Sequence, residues 1–462
     1  MGRARARFSV VVLTGCLVAG CSVAPSASPS ASGKSPAPPV VAPTEEVEET
    51  LSPSPSGAAD VAAARNADLD YLIERLKAIH RNPFLEEGEA GFLARVASIR
   101  EDVGSMTDAG FLVAVMDLMG HRDRDGHSGA WAMAQPSSLL HAWPIWLWDF
   151  PDGLRVVAAR EPYTDLVGAR LTMVGGASIE DAIATVESLV PRDNPSNLRG
   201  NLPIYLTLPE VVEELGLVQP GDPGLTFELL DGSARELTPE PLPIEAFRDW
   251  IFGVYGGNYP EALPPDDDGP LYLRHHDLAF WSEAITDPAG FYVGYNAVRP
   301  TSGSQRINEL ANAVEAAAAE DPDRPIVIDL RNNGGGDNTT YAPLRQAVEA
   351  IAHDHPGLIS LITGRATFSA AGNFVTDLLV GREKAGIRLV GESPGGGLDI
   401  YGDVVVVTLP ASRIVVLISA DFHDKAPPGD TRLAIPPDVP VEVSWADYVA
   451  GRDPVLEAAL KR

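Results

Sequence analysis

Cysteine is nearly missing from this 462-residue chain, and the only two, Cys16 and Cys21, fall within its first 21 residues. Disulfides and catalytic thiols are therefore excluded from anything folded beyond that point. Basic residues are also scarce, 35 Lys and Arg against 64 Asp and Glu, for a formal charge of −29. Nucleic acid is excluded as a partner, because phosphate binding needs clustered cations. Such acidity chiefly favours solubility. Hydrophobic residues make up 45% of the chain, enough for a large core and more than one domain.

The N-terminus reads as a targeting segment. "MGRARARF" is basic, and "SVVVLTGCLVAG" falls short of the roughly 20 apolar residues that a membrane-spanning helix needs. The run ends in Val18-Ala19-Gly20-Cys21. Small residues directly before a cysteine resemble the bacterial lipobox, which implies that Cys21 becomes the lipidated first residue of an exported chain. Residues 1–21 are then a lipoprotein signal peptide. Residues 22–59, rich in Ser, Pro and Ala with the acidic run "EEVEE", cannot bury enough surface to order and read as a tether.

Three further divisions follow from texture. Residues 60–142 carry apolar residues at helical spacing in "DLDYLIERLKAIH", "GFLARVASIREDV" and "AGFLVAVMDLMG". Residues 143–243 hold "GLRVVAAR", "ARLTMVGG" and "LTFELLDG", strand-like runs ending in glycine turns. That stretch resembles a degenerate PDZ-type module. Residues 244–462 form the best-patterned part. There "PIVIDL", "GLISLIT" and "GIRLVG" read as buried strands separated by helix-like segments, which predicts βαβ units and parallel pairing. The expected fold class is mixed α+β, with an α/β C-terminal domain.

Right-handed crossovers would bring two loops of that domain to the same strand ends. One is "RNNGGGDN"; the other is "RATFSAAGNF", where a strand turns into a helix at Ser369. A hydroxyl there meets free backbone N–H groups and the positive end of the helix dipole. It could cap the helix or serve as a nucleophile. Gly334, Gly335 and Gly336 leave their N–H groups unobstructed by side chains, and with the Ala370 N–H they could form an oxyanion hole.

The motifs "VIDLRNNGGGDN", "TFSAAGNF", "LVGESPGG" and "AIPPDVPV", in this order, resemble the tail-specific, or C-terminal processing, serine peptidases and their tricorn-like and retinoid-binding relatives. The resemblance runs from about residue 68 to the C-terminus. It implies a serine peptidase acting on peptide or protein substrates with no cofactor. Ser369 takes the nucleophile position, and Gly334 and Gly335 the oxyanion positions. One branch activates its serine with a lysine in the glycine-rich segment that reads "GESPGGG" here; that segment has none, and Lys384 and Lys425 lie outside it. The other branch uses a histidine in an Asp-Gly-His motif, matched by Asp125-Gly126-His127. Histidine suits proton transfer near neutrality. The family's orienting acid falls in "PPGDTRLAIPPD", where Asp430 is the carboxylate at that place.

Two other readings stay open at this level. Some relatives bind apolar ligands without cleaving peptides. His121, Asp123, Asp125 and His127 could also project together as a metal cluster, although their spacing matches no common closed site. The sequence is silent on oligomeric state.

Overall fold

The computed structural model describes residues 58–461 apart from 86, 121–123, 256–268 and 381–385. Cys21 and the segments read as signal peptide and tether lie outside the described residues, except Ala58 and Ala59, which the tether reading included and which instead open a helix. His121, Asp123 and Lys384 also lie outside the described residues. Three helices open the fold: α1 (Ala58–Ile79), α2 (Gly88–Asp102) and α3 (Asp108–Gly120). An antiparallel sheet follows, of strands β1 (Ile145–Phe150), β2 (Gly153–Ala159), β3 (Arg170–Val174), β4 (Leu225–Glu228) and β5 (Ala234–Leu237), paired in that order. Between β3 and β4 the chain forms α4 (Ile179–Val186), α5 (Pro195–Tyr205) and α6 (Pro209–Glu214). So the middle region is strand-rich as expected, but it carries more helix than its sequence texture suggested. Helix α7 (Ile244–Tyr255) comes next. Its buried Ile244, Phe247 and Ile251 share a core with the first sheet, so the helix packs with the region before residue 244.

The C-terminal part is the expected α/β unit. Strands β6 (Phe280–Thr286) and β7 (Ala289–Tyr295) pair antiparallel. From β7 the chain alternates through α8 (Ile307–Glu320), β8 (Ile326–Asp329), α9 (Ala342–Asp354), β9 (Ile359–Thr363), α10 (Ala370–Leu379) and β10 (Arg388–Gly391). Strands β7 to β10 are parallel neighbours in sequence order. Every residue of β8 and β9 is buried, because helices cover both faces of this part of the sheet. Helix α8 shows the matching pattern: Ile307, Leu310, Ala311, Val314, Ala317 and Ala318 recur at three- and four-residue spacing and are buried.

A long hairpin, β11 (Ile400–Thr408) and β12 (Val415–His423), then leaves this sheet. Its Val407, Leu409, Ile414, Val416 and Ile418 are buried in the core of the helices and the first sheet. The chain returns with β13 (Val439–Pro440), parallel to β10, and ends in α11 (Trp445–Val449) and α12 (Pro454–Leu460). The hairpin is what fastens the C-terminal unit to the N-terminal helices.

Candidate active site

The glycine loop leaves the end of β8 and is pinned from several sides. Arg331, its side chain 9% exposed, donates to Asp329 and, through both terminal nitrogens, to Asp453 at 3.0 and 2.9 Å. The Tyr292 hydroxyl completes the brace by donating to Asp329 at 2.9 Å. Asn333, fully buried, donates its amide to the Tyr295 carbonyl at 2.8 Å. The Asn333 carbonyl accepts the Phe368 N–H at 3.0 Å, joining the loop to the serine turn.

At the junction only glycine fits. Gly335 has φ +106°, and a Cβ there would lie 2.6 Å from the Ser369 Cβ and 2.9 Å from the Ala370 nitrogen. Ser369 itself sits at φ 52°, ψ −127°, an unfavourable region for a side-chain-bearing residue. It stands at the N-cap position of α10, yet its side chain makes no capping bond. The buried Ala370 N–H meets no acceptor among the described residues. The Gly334 N–H is likewise unengaged there, on an exposed stretch of the loop. The Gly335 N–H, expected as an oxyanion donor, instead donates to the Asn333 side chain at 2.9 Å. The asparagine that shapes the loop occupies that donor.

His127 reaches this turn from the N-terminal region. Its ring stacks on Phe368, the residue before the serine, with centroids 4.3 Å apart and planes inclined by 22°. Burial lowers its pKa from 6.5 to about 4; Asp125 and Asp403 oppose that shift and His423 adds to it. His127 as a residue is half-buried, but its Nδ1 is sealed from solvent and has no hydrogen-bond partner among the described residues.

The histidine loop is held by buried polar groups. Asp125 accepts from the Ser128 N–H at 3.1 Å and the Ser419 hydroxyl at 2.9 Å. It also meets His80 Nε2 at 2.9 Å, both side chains fully buried. The Asn82 N–H donates to His80 Nδ1, so Nε2 carries the proton and donates to Asp125. On the other side, Asp193 accepts from the Gly126 N–H at 2.6 Å and the Gly397 N–H at 3.3 Å. That carboxyl ties the histidine loop to the glycine-rich segment after β10. Burial raises its pKa to about 8 against the pull of the two N–H donors.

The remaining expected residues are placed as follows. Asp430 lies on a loop where its carboxylate accepts from the Arg432 backbone and guanidinium, with distances from 2.6 to 3.1 Å. None of these bonds reaches His127. Lys425 is bound to Asp377 at 2.5 Å, away from Ser369. Of the alternative metal cluster, Asp125 is engaged by His80 and Ser419, and His127 faces Phe368. Neither His80 nor Asp193 carries a local sequence signature, since each acts through a contact distant in the chain. Three tryptophans in the stretch "HAWPIWLWDF" divide: Trp143 and Trp146 are buried in the core, whereas Trp148 lies under Arg365 at 4.7 Å in a cleft at the strand ends.

The architecture has a solved counterpart. A crystal structure of a CPAF mutant matches with a TM-score of 0.57, covering 85% of this chain and 95% of that one at 13% identity. The chain has the CPAF fold. A looser likeness, TM-score 0.35 at 12% identity, covers 82% of this chain and 93% of the photosystem II D1 C-terminal processing protease. No protein-family model matches the sequence, and neither does any curated protein. The CPAF likeness bears out the fold class expected from the motif blocks.

Proposed function

We infer that the protein is a serine-type peptidase in which Ser369 is the nucleophile and His127 the general base. What carries this is one convergence. Ser369 is held in an unfavourable backbone conformation at the start of α10, with no capping bond to account for it. Gly335 packs against its Cβ, the neighbouring Ala370 N–H meets no acceptor among the described residues, and the His127 ring lies against Phe368.

In the chemistry this supports, Ser369 Oγ attacks the substrate carbonyl while His127 accepts its proton. The imidazolium then returns the proton to the leaving amine. The N–H of Ala370, with that of Gly334, is available to the oxyanion. Because burial keeps His127 neutral well below pH 7, it is ready as a base throughout the neutral range.

The test is labelling of the purified protein with a fluorophosphonate probe, paired with a peptide-hydrolysis assay. Wild type should label at Ser369 and hydrolyse peptide, and Ser369→Ala should do neither. Absence of labelling together with retention of apolar ligands would establish a binding protein on this fold. We further propose that the chain is exported and anchored through Cys21, on the strength of Val18-Ala19-Gly20-Cys21 ahead of a Ser/Pro/Ala tether. Among the described residues no helix is long and apolar enough to cross a membrane. Partitioning of wild type into a detergent phase, lost in Cys21→Ala, is the expected outcome; an aqueous wild type overturns the anchor.

A further inference from the structure

Two buried carboxylates hold the histidine loop, and they tie it to different parts of the molecule. Asp125 meets His80 and Ser419, so it fixes the loop to the end of α1 and to the β11–β12 hairpin. Asp193 links the loop toward the serine turn instead. It directly precedes Asn194, the N-cap of α5, and is 3% exposed. One of its oxygens accepts the N–H of Gly126, the residue before His127, at 2.6 Å. The other accepts the Gly397 N–H at 3.3 Å.

From Gly397 the path to the nucleophile is short. The neighbouring Gly396 donates its N–H at 2.9 Å to the carbonyl of Thr367, two residues before Ser369. A Cβ on Gly396 would lie 3.6 Å from the Phe368 Cα, so this segment packs on the serine turn. Phe368 in turn stacks on His127. The contacts close a ring that runs from His127 through Asp193 and the glycine segment to the serine turn, and back through Phe368. Asp193 is itself held in place, since the Asn197 side chain accepts its N–H at 3.2 Å. Nor is there slack at Gly126, where a Cβ would lie 2.8 Å from Asn197 Oδ1 and 2.9 Å from Asp193 Oδ1.

We propose that Asp193 is a positioning residue for His127: by bridging the histidine loop to the glycine segment packed on the serine turn, it fixes where the imidazole stands relative to Ser369 Oγ. This rests on the serine-peptidase reading. The proton passes from Ser369 Oγ to His127 and on to the leaving group, and Asp193 acts on that transfer only through the two backbone N–H groups it accepts. A displacement of about 1 Å in such a geometry can slow a reaction about 10²-fold, even when its cause lies away from the reacting atoms. Because Asp193 works through His127, its contribution should vanish when His127 is removed, which a role confined to shaping the serine turn would not do.

The probe is the second-order rate of fluorophosphonate labelling of the full chain, read in single and double variants whose folding is checked by urea melts. Asp193→Asn has one acceptor oxygen and must release Gly126 or Gly397, so it should slow labelling at least ~10-fold. His127→Ala removes the base and should slow it ~10²–10⁴-fold. Adding Asp193→Asn to His127→Ala should slow labelling no further. The same factor lost in both backgrounds would mean independent action on the serine turn and would overturn the proposal, as would a wild-type rate in folded Asp193→Asn. Asn197→Ala, which frees the Asp193 N–H, is the milder second variant and should show a smaller loss that also disappears without His127. If Asp193→Asn does not fold, a wild-type rate in Asn197→Ala overturns the proposal instead. A His127→Ala variant that labels like wild type would defeat the base assignment itself, and a Ser369→Ala variant that does so would defeat the nucleophile assignment.

Discussion

Ser369 shows how a single residue can be placed against its own conformational preference. At φ 52°, ψ −127° its Cβ is crowded by the local backbone, and no capping bond offsets this. Such strain costs of order 1–3 kcal/mol and persists only where surrounding structure imposes it. Here the Phe368 N–H to Asn333 carbonyl bond and the buried start of α10 hold the turn on either side. Glycine adopts that region freely. Ser369→Gly should accordingly raise stability by ~1 kcal/mol, discounted for the extra freedom of the unfolded chain, while abolishing hydrolysis. Ser369→Ala keeps the Cβ, so it should lose activity without that gain. Urea melts of the three proteins decide it: a glycine variant less stable than the alanine variant would mean the backbone there is not strained.

At the scale of elements, what could be read from the sequence was whatever the chain signals locally. β8, β9 and β10 are short, mostly apolar runs because both faces are covered, and such runs stand out without any knowledge of the fold. The serine turn and the glycine loop were legible for the same reason, as small residues directly after those runs. α5 was not, since Gly200 and Pro203 interrupt its helical pattern and its termini are fixed by long-range contacts. An example is the Asn194 side chain, which donates to the carbonyls of Pro394 and Gly395 at 3.1 and 3.0 Å. The groups that hold the histidine loop were hidden likewise, because Asp193 and Ser419 lie far along the chain. The glycine loop gives the prediction at this scale. Gly335→Ala would drive a Cβ into Ser369 and the Ala370 backbone at a φ only glycine tolerates. It should cost ~1–3 kcal/mol and remove most labelling at Ser369, because relief requires the loop and the turn to separate. Gly357, at φ 83° with open space around its Cβ position, is the control. Gly357→Ala should bear only the backbone strain and keep full labelling.

Across the whole molecule, two ionisable groups near the site, each shifted by burial, make its cohesion depend on pH with opposite signs. His127 is lowered from 6.5 to about 4, so from pH 4 to 6.5 the unfolded chain binds the extra proton and stability rises with pH. Asp193 is raised from 3.8 to about 8, so from pH 3.8 to 8 the folded chain holds the extra proton and stability falls as pH rises. Between pH 4 and 6.5 the two slopes offset each other; between 6.5 and 8 only the Asp193 contribution remains. A full proton difference is worth about 1.4 kcal/mol per pH unit, so this window should cost up to ~2 kcal/mol. Asp193→Asn cannot ionise and keeps one oxygen for the Gly126 or Gly397 N–H, so it should lack this slope although its baseline stability is lower. The measurement is the difference in unfolding free energy between wild type and Asp193→Asn at pH 6.5, 7.25 and 8. That difference should shrink steadily as pH rises. Parallel curves would mean that Asp193 is ionised in the folded protein, with the Gly126 and Gly397 N–H groups outweighing the cost of burying its charge.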